Sequence, residues 1–166
     1  MSAQSATQTA TRAPTKPLTF SDNAKKYPGK TAEEVLLRDP GHIAWLAMHA
    51  NDQRVNAHCR WLAREVDARM QGKLCPICKA APIEVFSARG DGRVGFSISR
   101  EHVACERCGR SRYPGTTHQL RLSTAIVGFK KKGDREALIT LFRWACNLPD
   151  GKLAPEEVLD FLRPED

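Results

Sequence analysis

Between Asn51 and Met70 the apolar residues Val55, Cys59, Leu62, Val66 and Met70 recur at steps of three and four. That is the period of one buried helix face, and it predicts a long helix over this stretch. Upstream, Leu18-Thr19-Phe20 reads as a short strand, followed by a polar loop from Ser21 to Lys26 and a turn at Tyr27-Pro28-Gly29-Lys30. Thr31-Ala32-Glu33-Glu34 has the form of a capping box, with Thr31 capping a helix and Glu34 reaching back. Val35, Leu36 and Leu37 supply that helix's apolar face. Pro40-Gly41 stops it and starts another, with Ile43, Leu46 and Ala47 inward and Trp45 at the flank.

Gly72-Lys73 breaks the helical period, and the texture changes from Leu74 to about Leu122. Pro82 to Ala88, Val94 to Ser99 and Leu120 to Leu122 alternate like strands, with Arg89-Gly90-Asp91-Gly92-Arg93 as a hairpin turn. Helix returns over Asp134 to Asn147, where Ala137, Leu138, Leu141, Phe142 and Ala145 form a stripe. A last short helix starts at Pro155, with Glu156 and Glu157 in the first turn, favourable to the helix dipole. The pattern predicts an α+β protein: a disordered tail at 1–17, a small hairpin-plus-helices domain at 18–72, a strand-rich module at 73–128, and C-terminal helices at 129–166.

Composition narrows this. Apolar residues are 41% and charged residues 27% of the chain, which excludes a disordered protein. The longest apolar run, Ile43 to Met48, is far short of the ~20 residues of a spanning helix. Residues 1–17 are Ser, Thr, Ala and Gln with Arg12 and Lys16, and have no apolar core of a secretory signal. A mitochondrial presequence is the alternative, since the stretch lacks acids, but it has no amphipathic stripe. A cytoplasmic chain is expected, and six cysteines without a signal point to a reducing compartment.

The most specific chemistry lies in the strand-rich module. Cys75-Pro76-Ile77-Cys78 and Cys105-Glu106-Arg107-Cys108 are two C-x-x-C pairs separated by 26 residues. Each pair turns two thiolates toward one point, and two such turns complete a tetrahedron for Zn²⁺. With strands between the pairs, the module reads as a zinc ribbon. Four thiolates leave no open position, so a single structural zinc is expected. Redox thiol pairs and an iron–sulfur centre are the alternatives. Cys59 and Cys146 fall on helical stripes and read as buried small hydrophobes.

Net charge is +7 and pI near 9.3, and the excess is uneven. Residues 89–135 carry +7, whereas 136–166 carry −4. Around and after the second cysteine pair stand Arg107, Arg110, Arg112, Arg121, Lys130, Lys131 and Lys132, interleaved with Phe96, Tyr113 and Phe129. Cations with interspersed aromatics suit a nucleic acid, the cations for phosphates and the rings for bases; a solvated charged surface is the plainer reading. A zinc-dependent nuclease of the HNH kind also carries paired C-x-x-C, but His102 is too close to Cys105 for its arrangement and His118 has no Asn in register. No catalysis is expected.

Residues 20–48 resemble the small C-terminal domain of exodeoxyribonuclease X-like proteins. The resemblance rests on Phe20, Lys26, Tyr27, Gly29, Lys30, Thr31, Asp39, Pro40, Gly41, Trp45 and Leu46. The chain departs from that pattern in about four extra residues before Lys26, in Pro28 for a Lys, and in His42 for a Tyr. It implies an accessory unit of DNA-processing proteins, in which Lys26, Tyr27 and Lys30, with Trp45 nearby, contact a strand. The exonuclease domain and its acidic metal ligands are absent, so its activity does not transfer. In the alternative, Tyr27 and Trp45 pack on one another and Gly29 only serves a turn.

The expected function is a zinc-binding accessory protein that binds nucleic acid, DNA foremost, in processing, repair or a mobile element. The alternative is an adaptor that docks a nuclease, helicase or polymerase through the C-terminal helices, with Leu159, Phe161 and Leu162 beside Glu156, Glu157 and Asp160. No membrane partner is expected.

Overall fold

Helix α1 (Ala32–Leu36) begins where the capping box predicts. The Thr31 hydroxyl accepts from the Glu34 N–H at 3.2 Å, and Glu34 Oε2 accepts from the Thr31 N–H at 3.0 Å. Two of the helix's orphan N–H groups are thereby satisfied within one turn of sequence. The computed structural model describes residues 13–81, 85–87, 103–112, 117–118 and 132–163. Ahead of α1 the chain doubles back. The Ala32 N–H donates to the Leu18 carbonyl and the Phe20 N–H to that of Lys30, each at 2.8 Å. The strand expected at Leu18–Phe20 is therefore a single antiparallel bridge, Thr19 to Thr31.

Helix α2 (Pro40–His49) starts on Pro40, whose missing N–H costs nothing at a helix start. Helix α3 (Gln53–Gln71) is capped by Asp52, whose side chain accepts from the Arg54 and Val55 N–H groups. Asn56 Nδ2 then donates to the carbonyls of Leu46 and Ala47, tying α3 to the end of α2. Beyond the cysteine segment lie α5 (Lys132–Ala145) and α6 (Pro155–Leu162). Asn147, at φ 54°, takes the left-handed conformation that ends many helices, and its side chain accepts from Lys73 Nζ at 2.6 Å. Helix α6 opens on Pro155, with Glu157 accepting from the Ala154 N–H.

One apolar cluster joins both ends of the chain. Phe20, Leu36, Ile43, Leu62, Phe142 and Leu159 belong to it, all buried. The helices before and after the cysteine segment thus share a single core. Arg69 donates to the Arg163 carbonyl, and Arg163 in turn donates to the carbonyls of Pro14 and Thr15. Of the stretch read as a tail, residues 13–17 lie among the described residues and carry these two acceptors. Trp61 is buried as well, although it stands off the stripe of α3. The reason is that α2 covers one flank of α3 while α5 and α6 cover another.

The expected α+β class with an antiparallel zinc ribbon is corrected by the described residues, which are mainly helical. Strand is confined to β1 (Val85–Ser87), β2 (Val103–Ala104) and β3 (Thr117–His118), of three, two and two residues. These short pieces pair antiparallel in the order β2-β1-β3, Phe86 facing both Val103 and His118. The second cysteine pair stands at the start of a helix, α4 (Glu106–Arg112), with Cys105 just before it and Cys108 within it, and not in a turn between strands. Glu106 in its first turn pairs with Arg110 one turn on, a local pattern that favours helix. The strands expected at Val94–Ser99 and Leu120–Leu122 and the turn at Arg89–Arg93 lie outside the described residues. Among those described, no helix is long and apolar enough to cross a membrane.

Candidate functional site

The first cysteine pair sits in a tight loop. The Lys79 N–H donates to the Cys75 carbonyl and the Cys75 N–H to that of Ala81, both at 2.8 Å. The chain can turn so sharply because Lys79 takes a left-handed φ of 55°. The second pair places Cys105 just before α4 and Cys108 within it. Together the four sulfurs lie within 4.8 Å of one another, with Cys75 and Cys105 buried and Cys78 and Cys108 half-buried. Cys78 Sγ and Cys105 Sγ are 3.8 Å apart. An ion bound tetrahedrally by thiolates at ~2.3 Å has S···S edges of ~3.8 Å, so the cluster has the dimensions of one metal centre.

Backbone amides prepare the sulfurs for that role. The N–H groups of Ala80 and Ala81 pull the Cys78 thiol down to about 6. Burial works to raise Cys75, but the N–H groups of Cys78, Cys105 and Ile77 outweigh it and hold that thiol below its ordinary value. Cys108 is pushed up to about 12, first by its hydrogen bond with the Cys105 sulfur. Four sulfurs this close repel one another as thiolates, and a cation between them removes that repulsion. Cys59 and Cys146 stand apart, buried in the helical core, and burial raises their thiols to about 12 and about 11.

The left-handed Lys79 gives a first prediction. A residue with a Cβ is strained there by roughly 1–2 kcal/mol, part of which glycine's extra freedom in the unfolded chain offsets. Lys79→Gly is expected to stabilise the cysteine loop by about 0.5–1 kcal/mol. A higher chelator concentration for half-loss of bound metal checks it.

Lys26, Tyr27 and Lys30 come together on the turn before α1, beside Asp39. The Asp39 carboxylate is buried, and its Oδ2 accepts from Lys26 Nζ at 2.6 Å and from the Tyr27 hydroxyl at 2.9 Å. Burial works to raise its carboxyl, but these bonds prevail and hold it below the usual carboxylate range. Lys30 pairs with Glu34 at 3.2 Å. Tyr27 also begins a row of rings. Its centroid lies 5.4 Å from that of His42; His42 stacks on Trp45 at 6.0 Å and 7°, and Trp45 meets His49 at 5.3 Å. Positions 42, 45 and 49 share one face of α2, and Trp45 is 45% exposed there. Tyr27 and Trp45 are thus bridged by His42. Burial, then the Lys26 charge, lowers His42 from its ordinary value, which keeps the middle ring neutral at pH 7.

No protein-family model, curated protein or solved structure matches the chain.

The other expected contacts are dispersed. Arg107 and Arg110 are exposed on α4, Arg110 paired with Glu106. Arg112 closes α4 and Lys132 opens α5, while Lys130 and Lys131 lie outside the described residues. A grouping that the sequence did not reveal lies beside Lys30. Two adjoining hollows, of about 300 and 430 Å³, share Leu37 and Arg38 on their walls. Arg143 and Lys152 line the first with Lys30, and Arg135 lines the second with Tyr27. Two of these cations, Arg143 and Lys152, come from the stretch 136–166, whose net negative charge conceals them, and Arg135 stands just before it. A signal existed only in the helical phase of Arg135 and Arg143, and only with the packing of α5 already known.

Proposed function

We propose that this chain is an accessory protein that holds one structural zinc ion and binds nucleic acid, DNA foremost, without chemistry of its own. The four-sulfur cluster supports metal binding, and zinc is the ion whose preferences fit an all-thiolate tetrahedron with no open position. The observation that carries the nucleic-acid reading is the row Tyr27–His42–Trp45–His49, half-buried at Tyr27 and His42 and exposed at Trp45 and His49, with Lys26, Lys30 and Arg38 around its start. Flat rings offer faces to bases, and the flanking cations meet phosphates. The resemblance of residues 20–48 to the exodeoxyribonuclease X C-terminal domain points to the same kind of partner. A docking role for the C-terminal helix has less to work with, because Leu159 and Leu162 are buried in the core and Phe161 alone of the three is exposed.

Trp45→Ala tests this reading. An exposed ring can be removed without opening the core, so the variant is expected to keep its circular dichroism spectrum. Affinity for a single-stranded oligonucleotide should fall by ~1–3 kcal/mol for each base stacked on it, with little change in salt dependence. Equal affinity in Trp45→Ala and the parent, with the fold intact, would overturn the stacking role. Metal analysis of the same samples should return zinc in one-to-one ratio with the chain, and a different metal would overturn that part.

A further inference from the structure

The basic hollows beside Lys30 lie where the two ends of the chain meet. Lys30 and Arg38 flank α1, Arg135 and Arg143 come from α5, and Lys152 from the loop before α6. These five cations face two carboxylates on the same walls, Glu34 and Glu136. Arg143 is held in place by donating to the carbonyls of Pro149 and Gly151. Carbonyl partners do not neutralise a guanidinium, and among the described residues no acid forms an ion pair with it. The Lys30–Glu34 pair joins two partly exposed side chains, the kind of ion pair that exchanges readily for another anion. Arg38 stands between the hollows and also lies 5.7 Å from the Tyr27 ring centroid.

Tyr27 therefore belongs to two surfaces, the wall of the second hollow and the start of the ring row along α2. A ligand that runs from one to the other needs repeated negative charge at one end and flat apolar faces at the other. Unpaired nucleotides have both, whereas a duplex hides its base faces in its own stack.

We infer that the groove formed by Lys30, Arg38, Arg135, Arg143 and Lys152 is the track for the phosphodiester backbone of a single-stranded nucleic acid, its bases turned toward Tyr27 and the α2 rings. This rests on the nucleic-acid reading above and adds the strand state, the path and the contribution of the C-terminal helices. Neither end of the chain forms the track alone, which makes the shared core a requirement for binding.

The test uses the full chain, zinc-loaded, with a labelled oligodeoxythymidine and a duplex of the same length, titrated at low and high salt. Arg38 and Lys152 are both exposed, so Arg38→Ala/Lys152→Ala removes two groove charges without touching the core. Arg54→Ala/Arg64→Ala removes the same charge from the exposed side of α3, outside the groove. The groove variant is expected to bind the single strand at least about tenfold more weakly at low salt. Its plot of log affinity against log salt should be shallower by roughly 1.4, at ~0.7 for each lost phosphate contact. The α3 variant should keep both affinity and slope, and Arg38→Lys should recover most of what Arg38→Ala loses. Equal losses in the groove and α3 variants, or none in either, would overturn the groove while leaving nucleic-acid binding by the parent in place. Tighter binding of duplex than of single strand would overturn the strand state. A parent chain that binds neither probe would end the underlying reading itself.

Discussion

Replacing Cys78 or Cys105 by serine is expected to abolish stoichiometric metal binding and to unfold the cysteine segment while the helices remain. Each of the four sulfurs supplies one corner of the cluster, and a hydroxyl is a poor substitute for a thiolate at neutral pH. Coordination of zinc by small modules is worth an apparent ~10–16 kcal/mol, most of which appears as folding free energy. Among the described residues, Cys75, Ala104 and Cys105 are the buried ones around the site, and two of these three are themselves members of the sulfur cluster. The main core is a separate cluster, and it should keep its helical signal when the metal is lost. Metal analysis, with limited proteolysis to locate the opened region, checks both halves. Cys59→Ala and Cys146→Ala should retain the metal, since both thiols lie in the helical core. Stoichiometric metal in the Cys78 and Cys105 variants would refute the assignment.

The second large effect is expected at a buried polar pair. Glu33 on α1 is fully buried, its Oε1 accepting from His58 Nε2 on α3 at 2.6 Å and its Oε2 from the Leu18 N–H at 3.3 Å. One carboxyl thus joins the N-terminal turn, α1 and α3. His58→Ala leaves it in an apolar core with one long hydrogen bond, and breaking such a pair from one side typically costs about 3–5 kcal/mol. Urea denaturation of His58→Ala should show a loss of this order. Replacing both residues by leucine should recover part of it, because no polar group is then left alone on the α3 side. The Leu18 N–H would still lack its acceptor, which limits the recovery by about 1–3 kcal/mol. A His58→Ala variant as stable as the parent would show that Glu33 finds another partner.

The way these two sites arose from the chain differs. The cysteine set was legible because C-x-x-C spacing is itself a geometric statement: each pair is confined to one tight turn, and only the meeting of the two turns remained to be shown. The mode of presentation was not legible. A ribbon was expected from the alternation around the pairs, yet Cys108 lies within a seven-residue helix and Cys105 immediately before it. In Glu106-Arg107-Cys108-Gly109-Arg110 the pairing of Glu106 with Arg110 fits one helical turn, and that local preference outweighed the neighbouring strand pattern. Glu33 shows the opposite difficulty. Read along the chain it is a helix-start acid indistinguishable in kind from Glu34, but Glu34 caps at the surface and Glu33 is drawn into the core.

What the sequence determined by itself is therefore what depends on neighbours within a turn or two. The start of α1 at Thr31, the start of α6 at Pro155, the extent of α3 and the closeness of the two cysteines within each C-x-x-C pair all follow from short-range hydrogen bonds, from fixed backbone dihedrals or from a period of 3.6 residues. Tertiary structure alone decided which faces were covered and which charges converged. Trp61 and His58 lie buried because α3 is packed on several sides, by α1, where His58 meets Glu33, by α2, and by α5 and α6 from the far end of the chain. Arg38, Arg135 and Lys152 became neighbours through that same packing, across about a hundred residues of intervening sequence. Burial of apolar surface drives such packing, and it is non-directional. It selects partners by shape across the whole molecule, so no window of sequence contains the result.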